Sequence, residues 1–193
     1  MTGNLFIITA PSGAGKTSLV KGLLAADVQV QRSISYTTRL PRPGEKDGVD
    51  YHFVDETRFL NMLSESAFLE CAEVHGARYG TSQDQVNSVL RAGNDVVLEI
   101  DWQGAAQVRS LYPQAVGIFV LPPSRGELRH RLLSRGQDSE SVIARRFAAA
   151  GYFVMKHPGF GTMGQISQDF SHDLQYDGLR RDRAGDSRWC SDN

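Results

Sequence analysis

The residues best suited to chemistry lie near the N-terminus, in the stretch Ile7–Val20, which reads IITAPSGAGKTSLV. Its end matches the motif G-x-x-x-x-G-K-[ST] at Gly15, Lys16 and Thr17, whereas Ala10 stands at the first glycine position. In such a loop, backbone N–H groups surround phosphate oxygens, the lysine reaches the β- and γ-phosphates, and the hydroxyl binds Mg²⁺. The predicted triphosphate-binding residues are Ala10, Pro11, Ser12, Gly13, Ala14, Gly15, Lys16 and Thr17, with Thr17 as the predicted Mg²⁺ ligand, partly through water.

The segments around this loop are those that such a site requires. The residues LFII before it are apolar and partly β-branched, which predicts a buried strand, and KTSLVKGLLAA after it has the apolar spacing of a helix. A helix that starts at the loop adds partial positive charge where the N–H groups converge. Ala10 can replace glycine if its φ is negative. We therefore predict a working phosphate-binding loop.

A second group of polar residues begins in SYTTRLPRPGE. Arg39 and Arg42 lie on a loop stiffened by prolines, and their spacing allows both guanidiniums to grip one phosphate. A tyrosine hydroxyl can add a further phosphate contact. A carboxylate such as Glu70 can accept two N–H bonds from the N1 and exocyclic amine of guanine, an edge that adenine does not offer. This group predicts a site for an acceptor that carries its own phosphate.

Strands that alternate with helices continue along the chain. We predict strands at Ser33–Thr37, Tyr51–Val54 and Leu69–Val74, in DVVLEID and in AVGIFVLPP, and a turn at GARYGTS. We predict helices at Glu56–Ser64, with Asp55 as N-cap, at Ser82–Ala92 and in QGAAQVRSLYP. Two more helices are predicted on either side of the Arg-Gly break in SRGELRHRLLSRGQDSESVIARRFAAA. This alternation predicts an α/β fold with a mostly parallel sheet and helices on both faces.

Length and composition indicate one domain with room for a small lid. The 193 residues are 40% apolar and carry a net charge of −1, which indicates a soluble globular protein and argues against a nucleic-acid-binding surface. The chain has no run of about 18 apolar residues that would predict a membrane span. It has no basic-then-apolar leader that would predict export, so we expect a cytoplasmic location.

Six motifs resemble, in order and spacing, those of bacterial guanylate kinases: APSGAGKT, SYTTRLPRPGE, GVDYHFV, FLECAEVHGARYGTS, VVLEIDWQGAAQVR and SRGQDSESVIARRF. The resemblance covers about residues 4–150. It implies a P-loop NTPase-type core within a domain at 3–150, a GMP-binding subdomain at about 35–82, and a helical lid at about 124–147. It also implies transfer of the γ-phosphoryl group of ATP to GMP with Mg²⁺, in purine nucleotide metabolism and GMP recycling.

The resemblance assigns roles by position. Lys16 and Thr17 match the residues that hold the donor phosphates and the metal. The implied GMP-binding residues are Ser35, Arg39, Arg42, Tyr51 and Tyr79 for the phosphate, and Glu70, Thr81 and Asp101 for the guanine. The implied catalytic residues around the transferring phosphoryl group are Lys16, Arg131, Arg135 and Arg146. Glu99 stands where the family commonly has Asp, so we expect it to act indirectly and Asp101 to contact the ligand.

The composition changes where the motifs stop. Val, Ile and Leu account for 35 of the first 150 residues but for 4 of the last 43. The segment 151–193 is therefore poorly suited to supply a core strand or helix, and we interpret it as an atypical C-terminus, divergent or frame-shifted relative to the family. A helix or strand lost there would uncover apolar surface and weaken the fold.

Three other functions stay open at this point. The chain could be a catalytically impaired guanylate kinase homologue because of its C-terminus. It could be a non-catalytic interaction module, although Lys16 and Thr17 speak against that hypothesis because such modules typically lack a complete phosphate loop. It could also act on another acceptor, such as a phosphorylated ribose, which the combination of paired arginines and Glu70 disfavours.

Overall fold

Two four-stranded sheets organise the part of the chain that the structure, a computed structural model, describes: residues 3–74 and 76–134. The strands are β1 (Leu5–Thr9), β2 (Val30–Arg32), β3 (Tyr36–Thr37), β4 (His52–Phe53), β5 (Phe68–Val74), β6 (Ala77–Ser82), β7 (Asp95–Glu99) and β8 (Val116–Phe119). The helices are α1 (Lys16–Ala26), α2 (Glu56–Ser64), α3 (Gln83–Arg91), α4 (Trp102–Leu111) and α5 (Arg125–Ser134).

The first sheet is parallel and has the strand order β2-β7-β1-β8. Side chains of β1 alternate between its two faces: Ile7 packs in a core cluster with residues of α3 and α4, and Ile8 packs with Val20 of α1. Helices therefore cover both faces, and the predicted α/β fold class is confirmed. Because β1 and β7 are parallel, with Ile8 opposite Glu99, the residues that follow both strands meet at one edge of the sheet.

The second sheet has the order β4-β3-β6-β5 and is mixed. Strand β6 pairs antiparallel with β3 and β5, and β3 pairs parallel with β4. All of its strands fall within residues 35–82, the span predicted for the acceptor-binding subdomain. Its apolar side includes the fully buried Phe59 of α2, whose ring stacks on Phe68 with centroids 4.6 Å apart.

Several predicted elements are confirmed, and one is wrong. Helix α2 has the predicted bounds, and Asp55 caps it by accepting a hydrogen bond of 2.7 Å from the backbone N of Arg58. Residues 77–82 form strand β6 rather than the predicted turn, because they pair with a strand on each side. Gly80 lies under the Phe68 ring, where a Cβ would come within 2.8 Å of a ring carbon.

Three short strands also differ from the sequence interpretation. Strand β2, Val30–Arg32, lies in a segment for which no strand was predicted. Strands β3 and β4 are shorter than predicted, with two residues each. The second helix predicted after the Arg-Gly break and the whole segment 151–193 lie outside the described residues. Within the described ranges, no helix has both the length and the apolar character needed to cross a bilayer.

Candidate active site

A cavity of about 440 Å³ opens where the two sheets approach each other, beside the carboxyl ends of β1 and β7. It brings both predicted clusters into one space, and its polar lining is Ser12, Lys16, Thr17, Ser35, Arg39, Arg42, Tyr51, Glu70, Tyr79, Glu99 and Asp101. Ala10, Pro11, Gly13 and Gly15 also line it. A donor phosphate on the loop and an acceptor phosphate at the arginines would therefore face each other across one cavity.

The phosphate loop obtains its shape from Gly13 and Gly15, whose φ values of 90° and 103° favour glycine. Gly15 is also the N-cap of α1, which has no side-chain cap and no acidic residue in its first turn. The other described helices all have a side-chain cap at their start, from Asp55, Ser82, Asp101 and Ser124. The free N–H groups of α1 thus suit an anion, and the positive end of its dipole favours one.

The two alanines of the loop fit this geometry. The only non-glycine residue with a positive φ in the described ranges is Ser66, so Ala10 meets the condition under which it can replace glycine. Ala14 is buried, its N–H donates to the carbonyl of Pro11 at 3.1 Å, and it does not line the cavity. Ala14 therefore shapes the loop from below.

Lys16 extends from the first turn of α1 across the end of β7. Its Nζ donates to the carbonyl O of Ile100 at 3.3 Å. Burial lowers the pKa of Lys16 from its ordinary value, while the carboxylates of Glu99, Asp101 and Glu70 oppose that shift. The Lys16 ammonium thus lies at the cavity wall, bonded to the Ile100 carbonyl and near three carboxyl groups, in a position from which it could bond to phosphate oxygens.

Thr17 and Glu99 place a hydroxyl and a carboxylate oxygen side by side in the cavity. The Thr17 hydroxyl donates to Oε1 of Glu99, and Oε2 of Glu99 lies 3.7 Å from Nη1 of Arg32. Arg32 also donates to the carbonyl O of Val49. Hydroxyl and carboxylate oxygens are ligands that suit Mg²⁺, so the residues present fit this ion. Among the described residues, no group of three or more His, Cys, Asp or Glu could hold a metal ion.

The carboxylate of Glu45 bonds to both arginines that were predicted to bind the acceptor phosphate, to the guanidinium of Arg39 and to the backbone of Arg42. Glu45 accepts two hydrogen bonds from Nη2 of Arg39, at 2.9 Å each, and one of 2.7 Å from the backbone N of Arg42. The guanidinium of Arg39 also lies over the Tyr51 ring, 5.4 Å from its centroid. Glu45 therefore fixes the loop that presents both arginines, a role that the sequence analysis missed.

Tyr51 and Tyr79 lie edge to face in the cavity wall, with ring centroids 5.9 Å apart. Burial, together with the nearby Glu99, raises the pKa of Tyr51 to about 12. Its phenol consequently stays protonated at neutral pH and can donate a hydrogen bond to a phosphate oxygen.

Glu70, on β5, is the buried carboxyl group of the cavity, with 4% of its surface exposed. Its Oε1 accepts a 2.6 Å hydrogen bond from the hydroxyl of Thr81, which in turn lies 3.2 Å from Oγ of Ser35. Burial raises the pKa of Glu70 to about 7; the Thr81 hydrogen bond opposes this shift, and Asp101 adds to it. Thr81 thus holds the carboxylate of Glu70 in place, and its own contact with guanine stays a prediction.

Asp101 follows β7 and begins α4. Its Oδ1 accepts a 2.9 Å hydrogen bond from the backbone N of Gly104, and its Oδ2 accepts one of 3.2 Å from Nε2 of Gln103. The residue lines the cavity, but a helix N-cap occupies part of its carboxylate. Its contact with guanine stays a prediction.

Arg131 reaches the loop from α5. Its Nη1 donates to the carbonyl O of Ala14 at 3.3 Å, and its Nε donates to Glu127 at 2.6 Å. Helix α5 also packs on the loop itself, since a Cβ on Gly13 would lie 3.0 Å from Cδ1 of Leu128 and 3.2 Å from Cδ2 of Leu132. Arg131 does not line the cavity, and Arg135 and Arg146 lie outside the described residues.

An apolar wall completes the cavity. It consists of Ala72, Val74, Ala77 and Trp102, none of which the sequence analysis singled out. The first three lie on β5 and β6 next to Glu70 and Tyr79, so a flat aromatic group could pack on them while Glu70 reads its edge. Small apolar residues form no sequence motif that would mark them as part of a site. The pairing of β5 with β6 brings Ala72, Val74 and Ala77 together at the cavity.

The parallel sheet, the glycine loop after β1 and Lys16 at the start of α1 define a P-loop nucleotide-binding protein. The chain belongs to the guanylate kinase family, whose model matches residues 2–161. This match extends beyond residue 150, where the recognised motifs stop.

Individual relatives agree with that assignment. A guanylate kinase of Methylobacillus flagellatus is 59% identical over 175 residues, which cover 91% of this chain and 86% of the relative. One of Dechloromonas aromatica is 58% identical over 159 residues, or 82% of this chain and 78% of the relative. The crystal structure of guanylate kinase from Anaplasma phagocytophilum has a TM-score of 0.68 and 30% identity, and the similarity covers 89% of this chain and 80% of that one.

Proposed function

We propose that this chain is an ATP:GMP phosphotransferase that converts ATP and GMP into ADP and GDP. The observation that carries the proposal is that one cavity holds both the phosphate loop with Lys16 and an acceptor cluster with Arg39 and Glu70. We further propose that it works in the cytoplasm, in purine nucleotide metabolism and GMP recycling. Its proposed small-molecule partners are ATP and GMP, with dGMP as a second acceptor to be tested, and it is proposed to bind neither nucleic acid nor membrane.

The donor would bind at the loop. The uncapped N–H groups of α1 receive the β-phosphate, and Lys16 spans the β- and γ-phosphates. Thr17 would hold Mg²⁺, with Glu99 fixing the hydroxyl that binds it. Bound there, Mg²⁺ would supply positive charge that offsets the negative charge developing on the phosphates during transfer.

The acceptor would bind beside the second sheet. Arg39, Arg42, Tyr51, Tyr79 and Ser35 surround the GMP phosphate, and the apolar wall takes the purine ring. The ionised Glu70 accepts from the guanine N1–H and exocyclic amine, which adenine cannot supply in the same pattern. Because a site built around hydrogen bonds leaves them unmade with the wrong base, discrimination against AMP should be large.

Phosphoryl transfer needs alignment and charge neutralisation more than covalent help from the protein. Arg131 lies beside the loop and can turn from Ala14 to the transferring group, and Arg135 and Arg146 are proposed to join it there. The impaired and non-catalytic alternatives are not favoured, because the loop, its lysine and the acceptor cluster are all present and because the relatives carry the name of the enzyme.

The test is ADP release by the purified chain with ATP and Mg²⁺, comparing GMP with AMP, UMP and CMP. We expect release with GMP to exceed that with each other nucleotide by at least about 100-fold. Equal rates with all four acceptors would contradict the guanine assignment. Binding of GMP without any turnover would contradict the catalytic proposal and favour the impaired homologue.

A further inference from the structure

The first turn of α4 packs directly against the carboxyl group of Glu70. The contact is made at Gly104, which is buried. A Cβ at this position would lie 2.8 Å from Cδ of Glu70 and closer still to Oε2. Gly104 is not among the glycines with positive φ, so its backbone conformation suits any residue. Space for the carboxylate is therefore the requirement that glycine meets here.

Helix α4 cannot easily move away to make room for a side chain. Gln107, one turn after Gly104, accepts from the backbone N of Cys71 at 3.1 Å and donates to its carbonyl O at 2.7 Å. This clamp ties the helix to β5 next to Glu70. Ala105 and Val108 are fully buried in the core cluster beneath the helix, so a shift of α4 would open the core.

The carboxylate is also held from its other side. The Thr81 hydroxyl donates to Oε1, and Thr81 belongs to β6, which pairs with β5 at Glu70. Oε2 lies against Gly104, so the plane of the carboxylate is set between a strand and a helix. A methyl group on residue 104 would displace the carboxylate before it displaced either element, because the carboxylate is the free end of a side chain.

We propose that Gly104 is a positioning residue for base selection: its lack of a side chain fixes the carboxylate of Glu70 in the orientation that accepts from both guanine donors. The inference rests on the proposed function, in which Glu70 reads the base. It predicts that Gly104→Ala weakens recognition of the acceptor base and leaves the binding of ATP at the phosphate loop unchanged.

The first experiment compares KM values for GMP, IMP and ATP in the wild-type chain and Gly104→Ala. IMP keeps the N1–H of guanine but lacks the exocyclic amine, so it reports on one of the two bonds. We expect KM for GMP to rise about 10- to 100-fold, the effect of losing a charge-assisted hydrogen bond. KM for ATP should stay within about twofold, and the preference for GMP over IMP should fall at least about fivefold.

The matched control is Gly22→Ala. Gly22 lies on the exposed side of α1, and a Cβ there would have no atom within 4 Å. We expect its three KM values to equal those of the wild type. An unchanged GMP preference in Gly104→Ala, or an equal rise of the KM for GMP and ATP, would overturn the inference.

A second variant keeps the test independent of folding. Adding Glu70→Asp to Gly104→Ala shortens the carboxylate by one methylene and removes the clash. We expect the double variant to melt higher than Gly104→Ala and to bind GMP no more weakly than Glu70→Asp alone. Additive losses of GMP affinity, or a double variant that melts no higher than Gly104→Ala, would overturn the inference.

The outcome for the proposed function is separate. A wild-type chain that never phosphorylates GMP would contradict the proposed function. Calorimetric titration with GMP and IMP would then still decide the role of Gly104, since base selection is measured by binding alone.

Discussion

The donor and acceptor sides of the cavity are built in different ways. On the donor side the main chain provides the contacts: Gly13 and Gly15 bend the loop, and α1 begins without a side-chain cap. On the acceptor side the contacts come from side chains that other side chains hold. Glu45 fixes Arg39, and Thr81 fixes Glu70.

This difference affects which residues can vary. A site made of backbone N–H groups tolerates alanine at positions 10 and 14, because these residues need only the right φ and a small volume. A site made of side chains depends on every partner that orients them, including partners that never touch the ligand. We therefore expect the loss of Lys16 to lower mainly kcat, and the loss of an acceptor side chain to raise mainly KM for GMP.

The largest expected effect is on the donor side. We predict that Lys16→Met lowers kcat about 1,000-fold, because the donor phosphates lose the lysine ammonium of the phosphate loop. The measurement is steady-state ADP release at saturating GMP and ATP. The control is Lys21→Met, which removes an exposed lysine of α1 and should leave kcat unchanged. Equal kcat values for the two variants would show that the loop acts through its backbone alone.

A smaller effect is expected at the acceptor phosphate. We predict that Arg39→Met raises KM for GMP about 30- to 100-fold and leaves KM for ATP within about twofold, because one charge-assisted contact to the GMP phosphate is lost. The control is Arg58→Met, on the exposed face of α2. A parallel rise of the KM for ATP would contradict the separation of the two sides.

The smallest effect is set by pH. Only the ionised carboxylate of Glu70 accepts two hydrogen bonds, and its pKa in the empty site is raised to about 7. Binding of GMP therefore weakens as pH falls through that value, and we predict that KM for GMP rises about tenfold between pH 8 and pH 6. In Glu70→Gln the carboxyl group is gone while the GMP phosphate still titrates. A pH dependence of equal size in this variant would refute the role of Glu70.

The same contrast explains what could be predicted from sequence. Local signals are sufficient for the phosphate loop and for α2 with its Asp55 cap, since each depends on residues a few positions apart. Strand β6 was missed because its six residues, ARYGTS, have no strand-like alternation, and their neighbours β3 and β5 determine their structure. Non-local pairing of this kind leaves little trace in a short window.

One partner of the acceptor residues was missed for a related reason. Glu45 is an ordinary surface carboxylate in sequence, and it becomes important only because the loop turns it back onto Arg39. Asp101 was predicted as a ligand contact, yet its position after β7 also makes it the cap of α4. The residue types at such positions suggest ligand binding, but in the folded protein the same side chains also make hydrogen bonds within the protein.

The contact of Gly13 with α5 has a mechanical consequence. A Cβ on Gly13 would lie 3.0 Å from Leu128 and 3.2 Å from Leu132, and Arg131 donates to the carbonyl O of Ala14, so the loop and α5 are in direct contact. A shift of the loop as it binds phosphate would therefore be transmitted to the ten residues of α5. The donor nucleotide would thus influence the position of Arg131, through a contact made at a glycine.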